Sequence, residues 1–236
     1  MEELKLKGFV TPGDCGSLQK AVDLAKELDI CKVVINQSWI EVKPVLIPSG
    51  MYLVIDGCTL TANLVVDGEE NWSLRKKWLT LEGGTLKGSL TVFNAEHVNI
   101  TDLTVDGALS FEYTNWLRVQ NVTGTVKVGR GCTNCILQNI TAPAVYVCGD
   151  HSSGCIVPGS KPEVTNVIVQ DSKADVLLGA TEDCGLLNVQ ADHIDGAVKV
   201  GCSQKQLPDS QFMNLTFTHI TGGVEFYNPA KHTYMK

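Results

Sequence analysis

Between Val164 and Phe226 the chain repeats one phrase three times, and no other feature so narrows what it can fold into. Val167-Ile168-Val169-Gln170-Asp171 leads to Val176-Leu177-Leu178, and Leu187-Asn188-Val189-Gln190-Ala191 leads to Val198-Lys199-Val200. Leu215-Thr216-Phe217-Thr218-His219 then leads to Val224-Glu225-Phe226. Each phrase is an alternating strand, a polar turn and a shorter alternating strand, the pattern of one rung of a parallel solenoid. The inside of such a coil is filled by stacked apolar side chains, which leaves chemistry to the outward faces and turns.

The phrase extends back through Leu53-Val54-Ile55, Leu79-Thr80-Leu81, Val98-Asn99-Ile100, Leu117-Arg118-Val119 and Cys135-Ile136-Leu137. That makes about eight rungs or more, at a shortest spacing near twenty residues. Asp102, Asn121, Asn139 and Asp171 each close a first strand, where a short polar side chain tolerates a left-handed backbone and can bond its neighbour one rung away. The Asn-x-Thr triplets at Asn121, Asn139 and Asn214 read as this same strand and turn chemistry, not as glycosylation. Ahead of the rungs, Leu18, Ala21, Val22, Ala25 and Leu28 recur at helical spacing behind Ser17, predicting an amphipathic helix over about 16–29 that caps the first rung. The expectation is one all-β domain over 1–236, a single-stranded parallel β-helix. Residues 1–30 form its cap, 31–227 its rungs and 228–236 a C-terminal tail.

A net charge of -7 with a pI near 5.2 excludes a polyanion partner, because no basic surplus exists to release counterions from nucleic acid. No stretch has the length and apolarity of a signal peptide or a membrane span, so a cytoplasmic protein with no membrane partner is expected; oligomerisation stays open. The nine cysteines fit reduced thiols, several at inward strand positions. Cys132-x-x-Cys135, with Cys148 and Cys155 beyond, has metal-like spacing, but Cys135 falls on an inward strand position, so no metal is expected. No phosphate loop or nucleophile motif occurs, and no cofactor is expected.

Insertions break the repeat at residues 65–77, 148–163 and 201–211, always after the last strand of a rung, which places them along one edge of the coil. In the final strand of each rung the middle residue points outward. Read in order, these are Ser110, Lys127, Tyr146, Leu177, Lys199 and Glu225, which sets Tyr146, Lys199 and Glu225 in one column beside the insertions. Asp150 and His151 follow that strand in one rung, and Glu182 and Asp183 follow it in the next. Two carboxylates on neighbouring rungs suit glycosidic bond cleavage, one giving a proton and the other activating water or attacking carbon. Asp150, Glu182 and Asp183 are therefore the candidate acids, with Tyr146, His151, Lys199, Glu225 and Trp72 as candidate substrate contacts. Capping of turns is the other reading of those acids. His193 and His219 sit at or beside the turn position and are expected to be bonded there. Trp39, Trp116 and Tyr227 could also stack on sugar rings or cover rung ends.

Pro48-Ser49-Gly50-Met51-Tyr52-Leu53-Val54-Ile55, followed by stacked Asn-Ile-Thr and Asn-Leu-Thr rungs, resembles the right-handed β-helix of the pectin-lyase-like superfamily, most closely its polygalacturonase-like glycoside hydrolases. Ala197-Val198-Lys199 is similar to that family's Arg-Ile-Lys segment in its lysine. Gly149-Asp150-His151 stands nearest its Gly-His-Gly segment, and the family's Asp-Asp pair is absent. The resemblance implies a glycoside hydrolase acting on an oligo- or polysaccharide, with Lys199 holding a carboxylate or hydroxyl group. The missing Asp-Asp pair leaves a non-catalytic carbohydrate-binding or assembly module as the alternative, and a polysaccharide lyase as a third.

Overall fold

The structure is a computed structural model that describes residues 1–67, 75–147, 163–179, 185–201, 211–227 and 232–235. Three short helices, α1 (Glu2–Lys7), α2 (Pro12–Cys15) and α3 (Leu18–Glu27), precede the strands. The first three rungs each contain three strands: β1 (Lys32–Ile35), β2 (Trp39–Ile40) and β3 (Val45–Leu46); β4 (Tyr52–Ile55), β5 (Thr59–Thr61) and β6 (Leu64–Asp67); β7 (Lys76–Glu82), β8 (Thr85–Lys87) and β9 (Leu90–Phe93). In the next four, one continuous strand covers the rung: β10 (Ala95–Glu112), β11 (Asn115–Val128), β12 (Thr133–Val147) and β13 (Glu163–Leu178). Then come β14 (Gly185–Ile194) with β15 (Val198–Val200), and β16 (Gln211–Ile220) with β17 (Val224–Phe226). All of these pair in parallel with the rung before and the rung after, so the chain is a parallel β-helix.

Period-two alternation creates this coil directly. Val98, Leu117, Cys135, Val167, Val189 and Leu215 stand in register and point inward, each 1% exposed or less. Their outward neighbours Asn99, Arg118, Ile136, Ile168, Gln190 and Thr216 form the floor of the first-strand face. Cys132 and Cys135 are fully buried, and the Cys132 thiol donates to the Phe111 carbonyl at 3.4 Å, so this pair serves the core as small hydrophobes. Cys148 and Cys155 lie outside the described residues.

The expected helix spans Leu18–Glu27 with the Ser17 side chain accepting from the Lys20 N–H, and its apolar stripe of Leu18, Ala21, Val22 and Ala25 is fully buried. The cap also satisfies strand edges. Val10 bridges to Val33, Gln19 exchanges two hydrogen bonds with the Leu46 backbone, and Glu41 accepts the Leu18 N–H at 2.8 Å. Polar groups that an open first rung would leave unpaired are thereby used.

One detail extends the sequence expectation and two depart from it. β1 to β3 form the first rung, paired with β4, β5 and β6, and the stack has nine rungs among the described residues, in line with the eight or more expected over 31–227. β18 (His232–Met235), in the stretch expected to be a tail, pairs in parallel with β16 and continues the stack. The phrase at Leu187 is displaced by two residues: Val167 pairs with Val189, so the true equivalent is Val189-Gln190-Ala191-Asp192-His193. A two-residue slip keeps every side chain on its own face, so alternation alone cannot detect it. No helix among the described residues is long and apolar enough to cross a membrane.

Candidate functional site

The third-strand face holds the column expected from the sequence. Ser110, Lys127, Tyr146, Leu177, Lys199 and Glu225 are partners in unbroken register, about 4.8 Å apart per rung. Lys127 lies over the Tyr146 ring at 5.7 Å. The Lys199 ammonium donates to Asp175 at 2.7 Å, and Asp175 also accepts the Ala197 N–H at 2.9 Å. The lysine bond holds the Asp175 carboxyl below its usual range, and Asp175 in turn raises Lys199. Glu225 accepts from the Tyr227 hydroxyl and pushes that phenol up. Lys199 therefore stands in the field of Asp175, Glu225 and Tyr227. Of the sequence-predicted residues, Tyr146, Lys199 and Glu225 share this face, while Trp72, Asp150, His151, Glu182 and Asp183 lie outside the described residues.

Asp175 was missed because it lies 24 residues from Lys199 on another rung, in a part of β13 that sequence reads only as turn. Its signal was present in the register: Leu177 pairs with Lys199, so a residue two before Leu177 is within reach of a long side chain.

The first-strand face carries a second arrangement. Asn134, Asn166, Asn188 and Asn214 lie in one column at a corner, all with φ between 54° and 57°. Each side-chain amide donates to the oxygen of the asparagine one rung before it, at 2.9, 3.0, 2.9 and 2.9 Å, with Asn115 accepting at the start. Earlier in the same column stand Trp78, His97 and Trp116, stacked with centroids 4.4 and 6.3 Å apart. The anticipated ladder also exists on the other side of this face, where Asn121 donates to Asp102 and Asn139 to Asn121, both at 2.8 Å. Asp171 follows in register but accepts from Gln138 instead.

Asn166 separates two contributions of the asparagine column. Asn166→Ala should cost about 2 kcal/mol, from a left-handed Cβ residue and two lost hydrogen bonds, whereas Asn166→Gly, which accepts the backbone freely, should cost about half as much. Urea unfolding of both variants checks this; equal losses would mean that the ladder bonds alone matter.

Next to this column an open groove of about 340 Å³ is lined by Asn166, Asn188, Asn214, Ile168, Val189, Gln190 and Thr216. Across the same face, the corner after Asp192 brings two imidazoles together. His193 and His219, at φ 51° and 52°, stack with centroids 4.2 Å apart, and their Nδ1 atoms lie 3.0 and 2.9 Å from the two Asp192 oxygens. The Thr218 hydroxyl donates to Asp192 at 2.5 Å. Thr218 first, then the two histidines, hold this carboxyl far below the usual carboxylate range. The sequence places both histidines at turn positions; the structure adds that they bond a side chain there.

No protein-family model and no curated protein matches the sequence. Among solved structures, the Streptococcus pneumoniae surface protein and adhesin PfbA is similar over 96% of this chain and 99% of that chain, at 10% identity and a TM-score of 0.42. That degree of likeness adds nothing to the register of the coil itself.

Proposed function

We propose that this protein is a carbohydrate-active β-helix that holds an oligo- or polysaccharide along its first-strand face. The observation that carries this reading is the groove beside the asparagine column. Asn134, Asn166 and Asn188 each give one N–H to the asparagine before and accept one from the asparagine after, which leaves one N–H and one lone pair on each for a ligand. Sugar hydroxyls, which both donate and accept, suit such a row. Gln190 and Thr216 add polar groups, and Ile168 gives an apolar surface for the C–H face of a ring. A small number of placed polar groups is what fixes a ligand's orientation in a binding site.

The test is binding of tag-free protein to a panel of neutral and acidic glycans, followed by the double variant Asn188→Gly, Gln190→Ala. Each lost hydrogen bond should weaken affinity roughly three- to tenfold, so the pair should lose at least about tenfold. A folded protein that binds nothing on the panel, or binds equally well with both changes, would sink the proposal.

A polygalacturonase-like glycoside hydrolase is the second reading, favoured by Lys199 standing between the carboxylates of Asp175 and Glu225 beside the edge where the inserted segments depart. In this reading Lys199 holds a substrate carboxylate or hydroxyl, Tyr146 and Glu225 line the same column, and His151 and Trp72 contact sugar. Asp150, Glu182 and Asp183 are the acids to replace. Reducing-end release from the same panel should fall about a hundredfold or more when the true proton donor is changed to its amide. Unchanged release in Asp150→Asn, Glu182→Gln and Asp183→Asn would remove those residues from the mechanism.

A further inference from the structure

We infer that Asp192, His193 and His219 form a binding site for a borderline divalent transition-metal ion such as Zn²⁺. The three side chains converge from two adjacent rungs: one Asp192 carboxylate oxygen and one ring nitrogen each from His193 and His219 lie within 4.8 Å of one another. Tetrahedral zinc with ligand bonds of about 2.0–2.2 Å requires ligand atoms separated by about 3.3–3.6 Å, so rotations that draw the exposed side chains together by about an ångström complete the set. Two imidazoles and one carboxylate are the donor set of catalytic-type zinc sites and suit Ni²⁺ or Co²⁺ as well, whereas Mg²⁺ and Ca²⁺ prefer oxygen alone.

The fold presets this geometry. Asp192 faces outward near the end of β14, and the left-handed backbone of His193 turns its own side chain to the same side before Ile194 returns to the core. His219 repeats the His193 position one rung later, with the same φ, which is why the rings stack. Thr218 holds Asp192 through Oδ1 at 2.5 Å, the kind of outer hydrogen bond that orients a carboxylate ligand. In the ion-free arrangement each Nδ1 faces a carboxylate oxygen, which can only accept, so the ring protons occupy Nδ1. Metal binding moves each proton to Nε2. Both histidine side chains are more than half exposed, so solvent can carry that exchange and can supply the remaining ligands as water.

The cysteines are the competing ligands, and the test separates them. Tag-free full-length protein with its thiols blocked is dialysed against chelator and titrated calorimetrically with ZnCl₂, and in parallel with CoCl₂ while the visible absorption of Co²⁺ is followed. The expected result is one saturable site per chain with micromolar affinity and a cobalt spectrum without thiolate charge transfer. His219→Asn, which keeps a residue at ease with positive φ, and Asp192→Asn should each weaken binding at least about tenfold, and both should melt near the parent temperature without metal. The proposal is overturned by the absence of saturable binding below millimolar metal, or by unchanged affinity in the two folded variants.

Discussion

Gly88→Ala should destabilise the protein by about 3–5 kcal/mol, a large part of the 5–15 kcal/mol that a domain commonly has. Gly88 adopts φ +144°, which a side chain rarely allows, and a Cβ there would stand 2.0 Å from the Ala62 carbonyl oxygen and 2.7 Å from its carbon. Those atoms belong to the backbone of the preceding rung, which is itself hydrogen-bonded, so relief requires the two rungs to separate at that corner. Backbone strain contributes about 1–3 kcal/mol and overpacking a similar amount. Gly57→Ala is the matched comparison: φ is +63° and nothing lies within 4 Å, so only the left-handed strain of about 1–2 kcal/mol applies. Urea midpoints for the two variants decide it. Equal shifts would show that the close approach of the rungs contributes nothing.

Phe111→Ala should cost about 3–5 kcal/mol. Phe111 is 1% exposed and ranks with Phe212 as the largest fully buried side chain; along its column it lies between Val92 and Val128. Neither valine can extend into the space it would leave, and the regular rungs on both sides limit collapse. The residual void is what makes the cost exceed simple transfer of the ring to water. Phe111→Leu should recover more than half of the loss. Because each rung touches only its neighbours, the loss falls in the middle of the stack. Hydrogen exchange should then show protection lost first around β9, β10 and β11, ahead of β14 and β16. Uniform loss across all strands would show that the coil unfolds as one unit.

The rungs were legible in the sequence because an inward residue at every second position is needed wherever one face of a strand is buried. The helix was legible because Leu18, Ala21, Val22 and Ala25 meet the same demand at helical period. The slip at Leu187 shows where that signal ends. Leu187 and Val189 both suit an apolar position, and only the pairing of Val167 with Val189 shows that the equivalent phrase starts two residues later. The same slip hid the metal-like cluster, since it assigned Ala191 to the place that His193 occupies. Lys199 and its column were found from the local phrase, but Asp175 was not. An ion pair between rungs depends on a side chain reaching across a neighbour that is distant in sequence, and local periodicity carries no record of that reach.

At the corner between the last strand of one rung and the first strand of the next, the connection can be as short as Asn94 or as long as residues 148–162. The described stretches end there at Asp67, Val147, Gly179, Gly201 and Tyr227, and each time the next described strand pairs in register with the rung before it. The other two corners vary far less: single left-handed residues and the close approach at Gly88, Gly107 and Gly124 keep them short, and the register shifts there only locally, between Thr104 and Ala108, Thr123 and Val126, and Thr141 and Ala144. Long insertions can therefore accumulate at one corner without altering the core, while the other two admit only local shifts of register. The molecule has in effect a variable margin along a constant text: foreign peptides spliced in after Val147 or Gly201 should be displayed side by side, at a spacing set by the rungs beneath them.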